Sequence, residues 1–136
     1  PPVSASDRVI AGPAGEIPLR IYTPDTGETE RVIVYFHGGG WVLGDLETHR
    51  PFCEQLCHHS RSCVVAVDYR LAPEHPFPAA VDDCLAVTEW VLKNAAELCV
   101  EAKPAFVAGD SAGGNLAAAL ALMARDRGGP SVAIKC

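Results

Sequence analysis

No apolar run in this sequence approaches the roughly 18 residues that a membrane-spanning helix needs. The longest, LAAALALMA at Leu116–Ala124, has half that length and an alanine-rich composition, which reads as a buried helix. Basic residues are scarce as well. Eleven Lys and Arg stand against 17 Asp and Glu, a formal charge of −6, so there is no cationic surface for a nucleic-acid backbone or an anionic membrane. Methionine occurs once, and not at the start; the opening residues PPVSASDRV lack the basic and apolar regions of a signal peptide. A cytoplasmic protein without a transmembrane segment is the expectation. Repeats, linkers and low-complexity tracts are also missing, and 136 residues that are 49% apolar and 21% charged suit one domain with a proper core.

Cysteine is not scarce, but its distribution excludes a disulfide framework. The six thiols (53, 57, 63, 84, 99 and 136) are scattered over predicted helices and strands, as buried reduced thiols would be. The segment CEQLCHH sets Cys53 and Cys57 four apart, followed by His58 and His59, a spacing able to hold a metal. Phe52, Cys53, Leu56 and Cys57 equally make the apolar stripe of an amphipathic helix, so no metal and no organic cofactor is predicted.

The segment EIPLRIYTP alternates Ile17, Leu19 and Ile21 with Pro18, Arg20 and Tyr22, the period of a half-buried strand. The preceding DRVIAGPAG reads as its hairpin partner, turned at Gly12–Gly15. Near-continuous apolar runs follow at 31–36, 63–68 and 104–109, as expected of parallel strands buried on both faces. Helical patterns fill the gaps at Thr48–Ser60, Phe77–Leu98 and Ser111–Arg127, and SVAIKC begins another strand. Alternating strands and helices predict an α/β domain, a mostly parallel central sheet covered by helices.

Two segments carry chemistry. Gly109-Asp110-Ser111-Ala112-Gly113 places a serine between glycines where a buried strand gives way to a helix. That context turns a common pattern into a nucleophile on a tight turn, with helix N–H groups aimed at developing negative charge. The alternative is a serine that only caps the helix. His37-Gly38-Gly39-Gly40-Trp41 follows the first parallel strand, and three glycines leave backbone N–H groups free to grip an oxyanion. A phosphate loop would need Gly-Lys-Ser/Thr to follow, and no lysine is near.

HGGGW and GDSAGGN, 74 positions apart with DYRLAPEHPFPAAVDD between them, closely resemble the hormone-sensitive-lipase family of α/β-hydrolase esterases. The resemblance runs from about Val9 onward. It implies an α/β-hydrolase fold, with residues 1–136 as the N-terminal part of a single domain whose cap and C-terminal part lie elsewhere. It makes Ser111 the nucleophile and the N–H groups of Gly39, Gly40 and Ala112 the oxyanion hole, in a loop that Gly38 opens and shares. Trp41 and Asp110 are pocket candidates. His37, Asp68, Tyr69, Arg70 and Glu74 are read as a structural brace of ion pairs and hydrogen bonds for the active-site loops.

The implied activity is hydrolysis of short- to medium-chain carboxylic esters through an acyl-enzyme, with a small ester as partner and no cofactor. An amidase or formamidase, or a non-catalytic hormone receptor on the same scaffold, stays open.

A serine of this kind needs a histidine base and a carboxylate, in the chain order Ser, Asp or Glu, His. All five histidines (37, 49, 58, 59 and 75) precede Ser111, and the one later carboxylate, Asp126, closes the helix that Ser111 starts, about 22 Å away. Both partners are expected beyond Cys136, so the 136 residues alone are expected to be inactive, whether as a cut piece or as a naturally inactive half. The Ser111 strand is expected to be left as an exposed edge without later strands.

Overall fold

The computed structural model describes residues 2–25, 29, 31–40, 42–94, 98, 105–126 and 132–135. Strands β1 (Val3–Gly12) and β2 (Gly15–Pro24) form the expected hairpin, closed at the Gly12–Gly15 pair. Then come β3 (Val32–Phe36), α1 (Arg50–Ser60), β4 (Cys63–Val67), α2 (Ala79–Lys93), β5 (Ala105–Gly109), α3 (Ala112–Asp126) and β6 (Val132–Lys135). The sheet order is β1-β2-β4-β3-β5-β6. β2 runs antiparallel to β4, while β4, β3, β5 and β6 are parallel.

The near-continuous apolar strands divide by parity, as a sheet covered on both faces requires. Val32, Val34 and Phe36 of β3 join Val65, Val67 and Val107 in a core sealed by Val87 and Val91 of α2 and Leu116 and Leu120 of α3. Ile33 and Tyr35 face the other way, with Tyr22, Val64 and Ala66, against Cys53 and Cys57 of α1. β4 and β5 flank β3 on opposite sides, and α1, on the connection from β3 to β4, lies on one face of the sheet while α2, on the connection from β4 to β5, lies on the other together with α3. The carboxyl end of β3 is therefore a switch point, where loops diverge and leave a crevice.

Two sequence expectations are corrected. The strand ahead of Ser111 is not an edge, because β6 pairs along β5 from Ala105↔Val132 to Ala108↔Lys135. The second helix starts at Ala79, not Phe77, because the residue before a proline is pushed out of the helical region and Pro78 follows Phe77. That helix is capped at Asn94; the rest of the predicted helix, apart from Leu98, lies outside the described residues.

Candidate active site

The crevice is built by two turns. At the end of β5 the chain enters α3 through Ser111, which takes φ = 52°, in the left-handed region that non-glycine residues seldom occupy. The Gly113 N–H closes onto the Asp110 carbonyl at 2.9 Å and the Asn115 N–H onto the Ser111 carbonyl at 3.1 Å. Ser111 is solvent-exposed, whereas Ala112 and Gly113 behind it are buried. Glycine at 113 follows from close approach, since a Cβ there would sit on the Phe36 carbonyl oxygen at the end of β3. The turn after β5 is thus pressed against the end of β3, where the glycine loop begins.

That loop folds back on itself. The Val42 and Leu43 N–H groups donate to the Gly39 carbonyl at 3.2 and 2.9 Å, with Gly39 and Gly40 at φ 135° and 63°. His37 supports it from below. The ring is 2% exposed, and its Nδ1 lies 2.7 Å from the Gly38 carbonyl, which only accepts, so Nδ1 carries the proton. Burial lowers the His37 pKa below its ordinary 6.5, outweighing the Gly38 hydrogen bond, and keeps the imidazole neutral. Tyr69 stacks on it at 4.4 Å between ring centroids and donates its hydroxyl to the His37 carbonyl at 2.6 Å.

Asp110 joins the two turns. Its Oδ1 accepts the Gly38 N–H at 2.9 Å and the Tyr35 hydroxyl, and the His49 Nε2 lies 3.6 Å away. Burial alone would raise this carboxyl, but the bonds from Tyr35 and Gly38, with His49 nearby, hold it below the ordinary carboxylate value. Burial and the Asp110 carboxylate together push the Tyr35 phenol far above its usual range, so it remains a donor.

Several site expectations change. Gly38 is not an oxyanion donor, because its N–H is committed to Asp110; Gly39, Gly40 and Ala112 keep N–H groups with no acceptor among the described residues. Asp110, expected in the pocket wall, grips the glycine loop instead. The brace does not run through Asp68 and Glu74. Arg70 pairs with Asp83, which is 1% exposed, through Nε and Nη2 at 2.9 Å each, and the Arg70 N–H adds a third bond at 3.0 Å.

Glu74 is exposed, Asp68 is half-buried with its carboxyl raised by burial, and neither forms an ion pair among the described residues. Trp41 lies outside the described residues. Tyr35, His49 and Asp83 were missed. The available signals were a tyrosine inside the HGGG strand and a second carboxylate in VDD facing the loop arginine.

Other candidates resolve simply. Cys53 and Cys57 point into the core, where burial pushes their thiols up to about 12 and about 11, against thiolate chemistry; Phe52, expected on the same stripe, is 52% exposed. Cys63 and Cys84 are buried, and Cys99 and Cys136 lie outside the described residues. Among the described residues no helix is long and apolar enough to cross a membrane. Nor, among them, does any histidine bond to the Ser111 hydroxyl: His37 is bound to Gly38, His49 contacts Thr48 and Asp110, and His59 contacts Gln55.

Comparison with known proteins agrees with this architecture. A family described as alpha/beta hydrolase fold matches residues 33–136. The esterase LipI of Mycobacterium tuberculosis is 48% identical over 135 residues, covering 97% of this chain and 42% of that protein. The carboxylesterase NlhH of the same organism is 52% identical over 116 residues, 85% of this chain and 36% of its own length. Among solved structures, a hyperthermophilic esterase of the archaeon Pyrobaculum calidifontis superposes with a TM-score of 0.91 at 52% identity, covering 95% of this chain and 42% of that one. The chain therefore spans less than half the length of these relatives.

Proposed function

The chain belongs to the α/β-hydrolase fold family, in its hormone-sensitive-lipase branch of esterases, and from that membership we propose that the protein it represents is a serine carboxylesterase acting on small esters of short- to medium-chain acids. The observation that carries the proposal is the exposed Ser111 at φ = 52° beside a loop whose Gly39 and Gly40 N–H groups no described residue accepts. A serine hydroxyl on such a turn stands clear of the sheet, open to a carbonyl carbon.

In the proposed reaction the Ser111 Oγ attacks the ester carbonyl while a histidine base takes its proton. The carbonyl oxygen becomes an oxyanion, received by the N–H groups of Gly39, Gly40 and Ala112. Collapse expels the alcohol, which takes the proton from the histidine, and leaves Ser111 acylated. Water, deprotonated by the same histidine, attacks the acyl carbon and releases the acid and the free serine. No described residue serves as that histidine or its carboxylate, so both are assigned to the portion of the relatives' length that this chain does not span. No metal or organic cofactor enters any step.

The test is fluorophosphonate labelling of the full-length protein together with hydrolysis of p-nitrophenyl butyrate. Labelling confined to Ser111, lost in Ser111→Ala along with turnover, is the expected result. An unlabelled serine with tight binding of a small ligand would favour a receptor on this scaffold, and preference for anilides over esters in a substrate panel would favour an amidase.

A further inference from the structure

The oxyanion donors of the proposed site come from two segments far apart in the chain: Gly39 and Gly40 after β3, and Ala112 after β5. Hydrogen-bond stabilisation of a transition state requires such donors in one fixed frame, because displacement by a fraction of an ångström removes much of their effect. One side chain joins the segments directly. Asp110 immediately precedes Ser111, and its Oδ1 accepts the N–H of Gly38, which immediately precedes Gly39. We propose that Asp110, held by the Tyr35 hydroxyl, is the positioning residue of the reaction, setting the register of the glycine loop against the nucleophile turn.

Three further observations support this role. First, the carboxylate lies flat on the loop backbone: a Cβ on Gly38 would strike Asp110 Oδ2 and come within 2.8 Å of the Asp110 carbonyl. Glycine at 38 is thus required by Asp110 rather than by an oxyanion. Second, Tyr35 is a rigid anchor. Its ring is 2% exposed, packs against Phe52 at 5.3 Å between centroids, and springs from β3, the strand that launches the loop. Third, Asp110 is not placed as a triad acid. The His49 imidazole approaches it only to 3.6 Å through Nε2, and its Nδ1 lies 3.0 Å from the Thr48 hydroxyl.

The role rests on the esterase reading for its kinetic consequence but not for its structural one, and the experiment separates the two. In the full-length protein, Asp110→Ala is expected to lower kcat roughly 100-fold with KM within threefold, the split of a donor misplaced in the transition state. Asp110→Asn, whose amide oxygen still accepts the Gly38 N–H, should recover to within about tenfold of the wild type, and Tyr35→Phe should lose roughly three- to tenfold. Hydrogen exchange of peptides spanning residues 37–44 should accelerate in Asp110→Ala with the rest of the protein unchanged, which a general loss of stability would not produce.

Retention of kcat within threefold in Asp110→Ala, an Asn variant no better than Ala, or unchanged loop exchange overturns the role. If Asp110→Ala does not fold, the Asn and Phe variants decide by the same two readouts. If the wild type neither turns over esters nor labels at Ser111, the esterase reading has failed, and loop exchange in the variants alone upholds or overturns the register lock.

Discussion

Ser111 holds a backbone conformation that works against stability. A non-glycine residue at φ = 52° costs about 1–3 kcal/mol, tolerated because the turn places its hydroxyl in the open. Ser111→Gly should therefore raise the stability of the full-length protein by about 1 kcal/mol in thermal melts while abolishing ester turnover. His37 makes a second prediction at this scale. Its folded pKa lies below the ordinary 6.5, so between the two values the unfolded chain binds the extra proton and the folded one does not. The stabilisation is complete above pH 6.5 and is lost as pH falls through the folded pKa. Melting temperature should fall with pH over that window, and the slope should shrink in His37→Gln.

At the scale of elements, the site depends on α3 starting hard against the end of β3. Gly113→Ala would place a methyl on the Phe36 carbonyl, backbone against helix, where neither yields easily. A loss of roughly 3 kcal/mol in denaturant unfolding is expected, with activity falling through displacement of Ser111. The Arg70–Asp83 pair pins the loop after β4 to the N-terminal part of α2. Asp83 is 1% exposed and Arg70 partly so, and Asp83→Ala would leave the guanidinium without its carboxylate. About 3 kcal/mol of destabilisation is expected by the same measurement. Of these elements, the strand cores and helix α1 were readable from apolar runs and stripes. The helix that Pro78 delays and the identity of the Arg70 partner were not, because four carboxylates (Asp68, Glu74, Asp82 and Asp83) surround that arginine in sequence and only packing selects one.

Across the whole molecule, the described residues assemble one wall of the proposed site: the Ser111 turn, the glycine loop and the carboxylate that joins them. The relatives are more than twice as long as the region matched, and no described histidine is placed to take the Ser111 proton. The 136-residue chain alone should hydrolyse p-nitrophenyl butyrate roughly 10⁴-fold or more below the full-length protein, a comparison of kcat/KM that tests whether the base lies elsewhere.

By itself the sequence determined the α/β alternation, the two segments that carry the proposed site and a chain order in which every histidine precedes Ser111. These are matters of periodicity, local turn chemistry and position along the chain. Only the tertiary structure decided that β6 covers the Ser111 strand, that Arg70 takes Asp83, and that Asp110 binds the Gly38 amide and so removes it from the oxyanion donors. Each of these joins residues distant in sequence. Which carboxylate or amide comes within 3 Å of which partner is fixed by strand order and helix packing, and neither is written in any local stretch of residues.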